Sequence, residues 1–567
     1  MKRLLSILLA AAMLPAASCI ENDIPYPAVE LSVTDVSGEG FTVSNINETT
    51  RTVTLMLEEQ TDMGRVHIDR ITLGARSLVA IGIDDETLAG RITASQPLSG
   101  EFDLRTPLPI TLSLYQDYEW TIRAEQTIER AFTVAGQIGA TEIDAGNRTA
   151  TAYVPKGTDL SRIEGTKLKL GPAGITDYSP TAEELSATGF ETVRFVDASY
   201  RDTKERWLLY VLPTEVKIAV RETDLWFNTA TVTALVTEEE LPRAEIRYRQ
   251  KGSETWLPAQ RESTDGGILS CGIAPEWVDA VNDAGAPVKR LNPATGMHAG
   301  RTYELQLLID GEPTETSEYT APEGDLIPDG DMENPSLSCF TSSNSKAEFW
   351  ASGNNNFAPS LCTQSTFAGM GGSHCAMLKA TSPLVVGLAA GNLMSGIFYK
   401  ADLTTGVVGF GQSYAWTARP TALKVKYHAT IGIIDQALHD GAPIGEKNQD
   451  KARIFVAIVD WSARHEVSSG VKAPTGVWDP AAASSVDEGA IIAYGSIFID
   501  ESTPGDAMVE ISLPLNFYDT QARPSGRYTL VISSSTSAYG DFMVGCTKNL
   551  LYLDDFEWVY GTDLPKE

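Results

Sequence analysis

The sequence predicts an all-β protein, a series of small β-sandwiches followed by a larger one. Three observations carry that expectation. Runs with the apolar period of a long helix are nearly absent from the 567 residues. Short alternating runs recur instead, among them VELSVTDV, RTVTLMLEE and RVHIDRITL within residues 29–73. Turn residues separate them, and 47 glycines suit a chain of strands and tight connections. A half-apolar sheet cannot bury itself, so such strands must pair into two facing layers.

Taken in order, residues 27–126 read as a first sandwich of immunoglobulin-like pattern, closing with ITLSLYQDYEWTIRAEQ. Residues 127–216 read as a second sandwich, with strands in TEIDAGNRTATAYVP, ETVRFVDASY and ERWLLYVLP and a loop at GTDLSRIEG. In residues 217–324, DLWFNTATVTALVTE sets Trp226 at the head of a strand and AEIRYRQKGSETWLPA carries Trp256. GRTYELQLLIDGEPTETSEYTAPEG closes the unit with two strands about a D-G turn. This third unit resembles fibronectin type III domains. The resemblance implies that Tyr303 is a tyrosine corner, its hydroxyl tying a loop to the strand. An insertion at 271–293 is longer than such a domain needs, and its pattern predicts a short helix over residues 276–281.

DLIPDGDMENPS, residues 325–336, breaks any periodic run and marks a boundary. Residues 331–561 then offer about eight separated strands, the number and size of a jelly roll. Phe349 and Trp350 come first, followed by GNLMSGIFYK at 391–400 and GFGQSYAWTARPTALKVKYHA at 409–429. IFVAIVDW at 454–461 and YTLVISSSTSAYGDFMVGCTKNLLYLDDFEWVYG at 528–561 complete the set. Together these resemble the putative carbohydrate metabolism domain found at the C-terminus of Bacteroidota lipoproteins, after immunoglobulin-like modules. The resemblance covers two fifths of the chain. It implies a jelly-roll sandwich like those of carbohydrate-binding modules. The final loop departs from the family's pattern, reading CTKNLLYLDD where a G-S pair is usual, which implies a different ligand if that loop touches one.

A sugar site needs aromatic rings to stack on pyranose faces and polar groups to fix hydroxyls. Trp350, Trp416, Trp478 and Tyr539 supply rings, while Asn354, Asn355, Arg419 and Asp541 supply polar contacts. Trp416 lies in a long alternating strand, where a ring is ordinarily core. Trp478 lies in a loop, and Trp350 precedes the loop ASGNNNF. Jelly-roll binding modules often hold a structural calcium, and this resemblance implies Asp331 or Glu333 meeting Asp554 or Asp555 around such an ion. Adjacent strand residues point opposite ways, so only one of Asp554 and Asp555 can face it.

No local motif nominates a catalytic pair. Ser373 and His374 are neighbours on an extended run and diverge, which argues against nucleophile and base. His465-Glu466 lacks the second histidine of a zinc protease. Nothing resembles a nucleotide loop, and no organic cofactor is expected. The motifs therefore favour a protein that is not an enzyme and that binds glycan through its C-terminal domain, the preceding modules acting as spacer. Two alternatives stand beside it: a glycoside hydrolase or other carbohydrate-active enzyme, and a structural or adhesive protein with protein partners.

The start of the chain says where it would work. MKRLLSILLAAAMLPAASC gives a positive pair, an apolar run at 4–14 and small residues leading into Cys19. The run is too short for a permanent span and reads as a lipoprotein signal peptide at 1–18, cleaved so that Cys19 carries lipid. Residues 19–26 then read as a tether. The expected location is the outer membrane, lipid-anchored and facing outward. The formal net charge of −31 argues against nucleic acid as a partner. The other cysteines, Cys271, Cys339, Cys362, Cys375 and Cys546, fit either disulfides or buried thiols.

Overall fold

Strand Val29–Gly38 alternates buried and open side chains along most of its length, because successive Cβ atoms point to opposite faces. That pattern recurs through the computed structural model, which describes residues 29–562 except 49, 78–82, 266–267, 342–348, 368–372, 384–386 and 402–403. The signal peptide, Cys19 and the tether lie outside the described residues. The architecture is all-β, a tandem of sheet-on-sheet units. Among the described residues, no helix is long and apolar enough to cross a membrane.

Residues 29–55 and 63–124 belong to one compact unit. Val29–Gly38 pairs antiparallel with Val66–Ser77, which also pairs with Gly100–Phe102. A second sheet runs in the order Phe41–Asn47, Thr52–Leu57, Asp117–Gln126, Leu108–Ser113, Thr93–Ala94. Val33, Leu55, Ile68, Ile110 and Trp120 are buried in this unit.

The remaining described chain forms the second unit. It begins with a five-stranded sheet in the order Glu142–Asp144, Thr149–Pro155, Thr203–Thr214, Arg194–Tyr200, Asp177–Ser179. Its central pair, Thr149–Pro155 with Thr203–Thr214, is parallel and so needs a long crossover. The crossover holds the helix Ala182–Thr188, begun by a capping box between Thr181 and Glu184. Next come two four-stranded sheets spanning Ile218–Asp224 to Glu312–Thr320, with Val232, Leu269, Leu305 and Leu307 in the shared core. Tyr303 accepts the His298 amide at 2.8 Å through its hydroxyl, the tie between loop and strand that the sequence implied.

The C-terminal part is built on an eleven-stranded sheet and a five-stranded one. The five-stranded sheet runs Cys362–Thr366, His374–Lys379, Leu550–Val559, Ala422–Thr430, Val509–Pro514. The centre of the larger sheet runs Gly489–Ile499, Ala452–Trp461, Tyr528–Ser535, Asn392–Ala401, Thr405–Phe410, with His465–Gly470 at one edge. Between the sheets lie Leu378, Leu423, Leu551, Ile454, Val456, Leu530 and Ile532. The five described cysteines are all buried and none is joined to another in a disulfide, so the disulfide alternative does not hold among them.

The insertion at 271–293 corrects an expectation. Residues 276–281 form no helix; Trp277–Val281 and Pro287–Leu291 form a β-hairpin. Val, Trp and Ala in short alternation favour a strand, and tertiary pairing decides the outcome for so short a run. The hairpin joins the larger sheet through Lys289 and Phe517, at the edge opposite His465–Gly470. Asn282 at its turn donates to the Ala481 carbonyl at 2.9 Å.

Behind the hairpin sits Arg419, 1% exposed. Its guanidinium carbon lies 5.1 to 5.4 Å from the ring centres of Trp226, Phe227, Trp277 and Phe517. Nη2 donates to the Thr520 carbonyl at 2.9 Å, and burial pulls the side chain's pKa down to about 10. The cation thus binds rings from the third sandwich and from the C-terminal part together. Arg419→Ala should leave a ring-lined hole and cost about 3 kcal/mol of stability, with Arg419→Met recovering part of the loss. Urea unfolding of the three proteins measures this.

Candidate functional site

Strand Ala452–Trp461 is buried on both faces. Ile454, Val456 and Ile458 point into the core between the sheets, while Phe455, Ala457, Val459 and Trp461 point to the other side. The same division holds in Tyr528–Ser535, where Leu530 and Ile532 face inward and Val531 faces the other side. The outward faces of these strands floor a cavity of about 1000 Å³. That is at the upper end of the range for small-molecule pockets and suits an extended ligand. Phe398, Phe410, Phe455, Ser533 and Ser535 belong to the floor.

Two loops bring chemistry to it. The first follows His465–Gly470. Its Trp478 packs edge-on against Phe410, Phe455 and Trp461, with ring centres 6.0, 5.5 and 5.3 Å away. Asp479 next to it takes Arg453 Nη2 at 2.6 Å. His465 holds the loop, its Nε2 lying 2.6 Å from the Gly476 carbonyl and its Nδ1 2.6 Å from Glu488.

The second loop follows Tyr528–Ser535 and carries Tyr539 and Asp541, the latter in the 3-10 turn Gly540–Phe542. Asp450, fully buried, fastens both ends of this loop. Its Oδ2 accepts Ser537 Oγ at 2.7 Å, the Cys546 amide at 2.7 Å and Asn549 Nδ2 at 2.8 Å. Its Oδ1 accepts the Lys451 amide at 2.7 Å. Burial pushes the Asp450 carboxyl above its ordinary range, against the pull of these donors. Gly545 lets the loop close: a Cβ there would lie 2.3 Å from Ser537 Oγ.

The two carboxylates among the described residues that line the cavity therefore differ. Asp479 is ion-paired with Arg453. Asp541 keeps some exposed surface yet is crowded by protein, and this desolvation raises its pKa to about 6. Tyr539 is likewise raised, chiefly by burial.

Of the residues nominated from sequence, Asn355, Trp478, Tyr539 and Asp541 line this one cavity. The other four do not, and each is buried for a reason. Trp350 is a core ring against Phe349 and Phe556, its Nε1 donating to Pro328. Asn354 clamps backbone, donating to the carbonyls of Cys339 and Cys362 and accepting the Cys362 amide. Trp416 packs on Trp226, Tyr414 and Trp558, and Arg419 fills the aromatic cage already described. Cys546 and Lys548 are not among the cavity's lining residues, so the departure at that loop lies beside the site rather than in it. Arg453, Asp479 and the floor phenylalanines escaped the sequence reading. For Arg453 and Phe455 the signal was IFVAIVDW at 454–461, apolar at every position before Asp460, which indicates a strand covered on both faces.

The residues nominated for calcium have partners of their own. Glu333 accepts the His374 amide at 2.7 Å and lies 2.9 Å from its Nδ1. Asp331 Oδ1 accepts the Glu333 amide at 3.4 Å. A bulge at Asp555, φ +51°, turns its carboxylate to Lys426 at 2.6 Å. Asp554 points inward, and burial, then the Asp555 charge, raises its pKa to about 7. Among the described residues no group of three or more His, Cys, Asp or Glu is arranged to hold a metal ion.

Residues 329–559 match the family described as "Putative carbohydrate metabolism domain". No curated protein matches the chain. Among solved structures, a "putative glycoside hydrolase" from Bacteroides thetaiotaomicron aligns over 95% of this chain and 98% of its own, at 14% identity and a TM-score of 0.34. A "putative glycoside hydrolase" from Bacteroides vulgatus aligns over 37% of this chain and 85% of its own, at 19% identity and a TM-score of 0.26. The role of the C-terminal domain is carbohydrate-related. The expectation of a protein that is not an enzyme is corrected by the same finding, since the family is described by metabolism of carbohydrate rather than by binding alone.

Because Asp450 fastens both ends of the loop bearing Tyr539 and Asp541, Asp450→Ala should cost about 3 kcal/mol and strip three loop donors of their acceptor. Hydrogen exchange should speed up across residues 537–546 while the central strands stay protected. Unchanged exchange there would sink the idea.

Proposed function

We propose that the C-terminal domain is a glycoside hydrolase whose site is the cavity on the outer face of the larger sheet. The observation that carries this reading is the pair of carboxylates held there in unlike surroundings. Glycosidic cleavage needs one carboxylic acid to protonate the leaving oxygen and one carboxylate to act on the other side of the sugar. Asp541, desolvated and raised to about 6, has the character of the acid. Asp479, paired with Arg453 at 2.6 Å, has the place of the carboxylate partner. As the bond from the anomeric carbon breaks, its oxygen takes the Asp541 proton. The oxygen of a water forms the new bond to that carbon, and the water gives a proton to Asp479. Trp478 and Tyr539 offer ring faces or edges to the sugar.

The pH profile follows from the sign of the shift. Asp541 is protonated below about 6 and ionised above it. If it is the acid, kcat/KM falls about tenfold per unit as pH rises beyond that value. Asp541→Asn should lower kcat by about 100-fold or more and remove this descending limb. Reducing-end release from a glycan panel measures both, and an active Asp541→Asn protein with the limb intact would contradict the assignment.

We also propose that the chain is exported and held at the outer membrane by lipid on Cys19, with the domain outside the cell. The leader and the small residues before Cys19 support this. Cys19→Ala should move the protein from the detergent-requiring membrane fraction to the soluble one. Retention in the membrane fraction would contradict it.

A further inference from the structure

Arg453 is the one cation among the described residues that line the cavity, and its charge is already matched. Nη2 lies 2.6 Å from Asp479, and Nε donates to Ser496 Oγ at 3.1 Å. The rings of Phe455 and Phe498 sit 5.0 and 4.8 Å from the guanidinium carbon. Only 11% of its side chain is exposed. Against this single engaged cation stand two carboxylates, Asp479 and Asp541. The rest of the described lining is apolar or uncharged, with phenylalanines on the floor and Asn392, Ser533 and Ser535 among the neutral polar groups.

A sugar carboxylate or sulfate entering this space would lose its hydration without finding a free positive charge among the described lining residues. Above about pH 6, where Asp541 is ionised, it would also meet that like charge at close range, in surroundings where screening is weaker than in bulk water. The chain's net charge of −31 opposes its approach from farther away. A neutral sugar pays none of these costs, and its C–H faces match the rings.

We propose that the cavity takes neutral glycans and excludes acidic ones, meaning uronic-acid and sulfated polymers. This deepens the glycosidase reading by naming its substrate class, and it rests on that reading for the location of the site.

The test uses the whole mature chain, with binding by calorimetry and cleavage by reducing-end release. The probes are neutral glucan, mannan, xylan and galactan oligosaccharides, together with oligogalacturonate, oligoglucuronate and heparin fragments. At about 0.02 M salt the glycans bound should be neutral, at least about tenfold tighter than any acidic probe. For a neutral oligosaccharide and its C6-oxidised counterpart, the preference should narrow as salt rises to about 0.5 M. An acidic probe bound as tightly as the best neutral one overturns the proposal, and so does binding to none of the probes. Neutral binding without cleavage leaves the substrate class standing and removes the hydrolase reading, so the two failures are distinct.

Discussion

A carboxylate removed from water must be compensated or it will not stay ionised, and Asp450 is compensated from four directions. Its partners are far apart in sequence: its own neighbour Lys451, then Ser537, Cys546 and Asn549. One buried group therefore closes a loop of about a dozen residues and fixes both of its ends to the start of the central strand. Asn549 adds a second tie, accepting the Gly432 amide at 2.8 Å and donating to the Thr536 carbonyl at 2.9 Å. Everything the loop offers to the cavity, including Tyr539 and Asp541, depends on that anchorage. A loop held only by surface contacts would not keep a desolvated carboxyl at a fixed place, since its own solvation would favour opening.

The larger sheet makes this possible by using its two faces differently. The inner face gives the domain its stability, through the aliphatic layer shared with the five-stranded sheet. The outer face is then free to carry rings, serines and one partly buried arginine without endangering the core. Period two does the sorting: along Ala452–Trp461 each step moves from stability to site and back. The outer face would be an exposed apolar surface without the loop bearing Trp478, which packs over Phe410, Phe455 and Trp461. The same ring that protects the sheet borders the cavity.

Much of the fold was legible because alternation is a direct consequence of strand geometry. The strands at 29–38, 149–155 and 302–309 all announce themselves in this way. The parallel pairing of Thr149–Pro155 with Thr203–Thr214 was not legible, since pairing partners are set by tertiary contacts that leave no local trace. The hairpin 277–291 was hidden for the same reason. The site was half legible. Trp478, Tyr539, Asn355 and Asp541 sit in loops, where a ring or carboxyl without local partners stands out. Trp416 already read as core from its alternating strand, but Trp350 and Arg419 looked available, because a sequence shows the residue and not what surrounds it. Arg419 was the most deceptive: an arginine next to proline reads as exposed, whereas four rings here replace its water.

That cage bears on the site through the sheet edge. An uncovered edge strand presents unpaired amides and carbonyls and invites pairing with another chain. The hairpin 277–291 occupies one end of the larger sheet by way of Asn516–Phe517, next to Gly489–Ile499. Trp277 of the hairpin and Phe517 of the sheet meet edge-on at 5.1 Å, with Arg419 beside both. Asn282 at the hairpin's turn reaches Ala481, in the loop that carries Trp478 and Asp479. A module that would otherwise be only a linker thus contributes strands to the sheet and a hydrogen bond to a wall of the cavity. The third sandwich and the C-terminal domain should therefore be treated as one folding and functional unit, because removing the first would uncover a sheet edge and loosen the loop that positions Asp479.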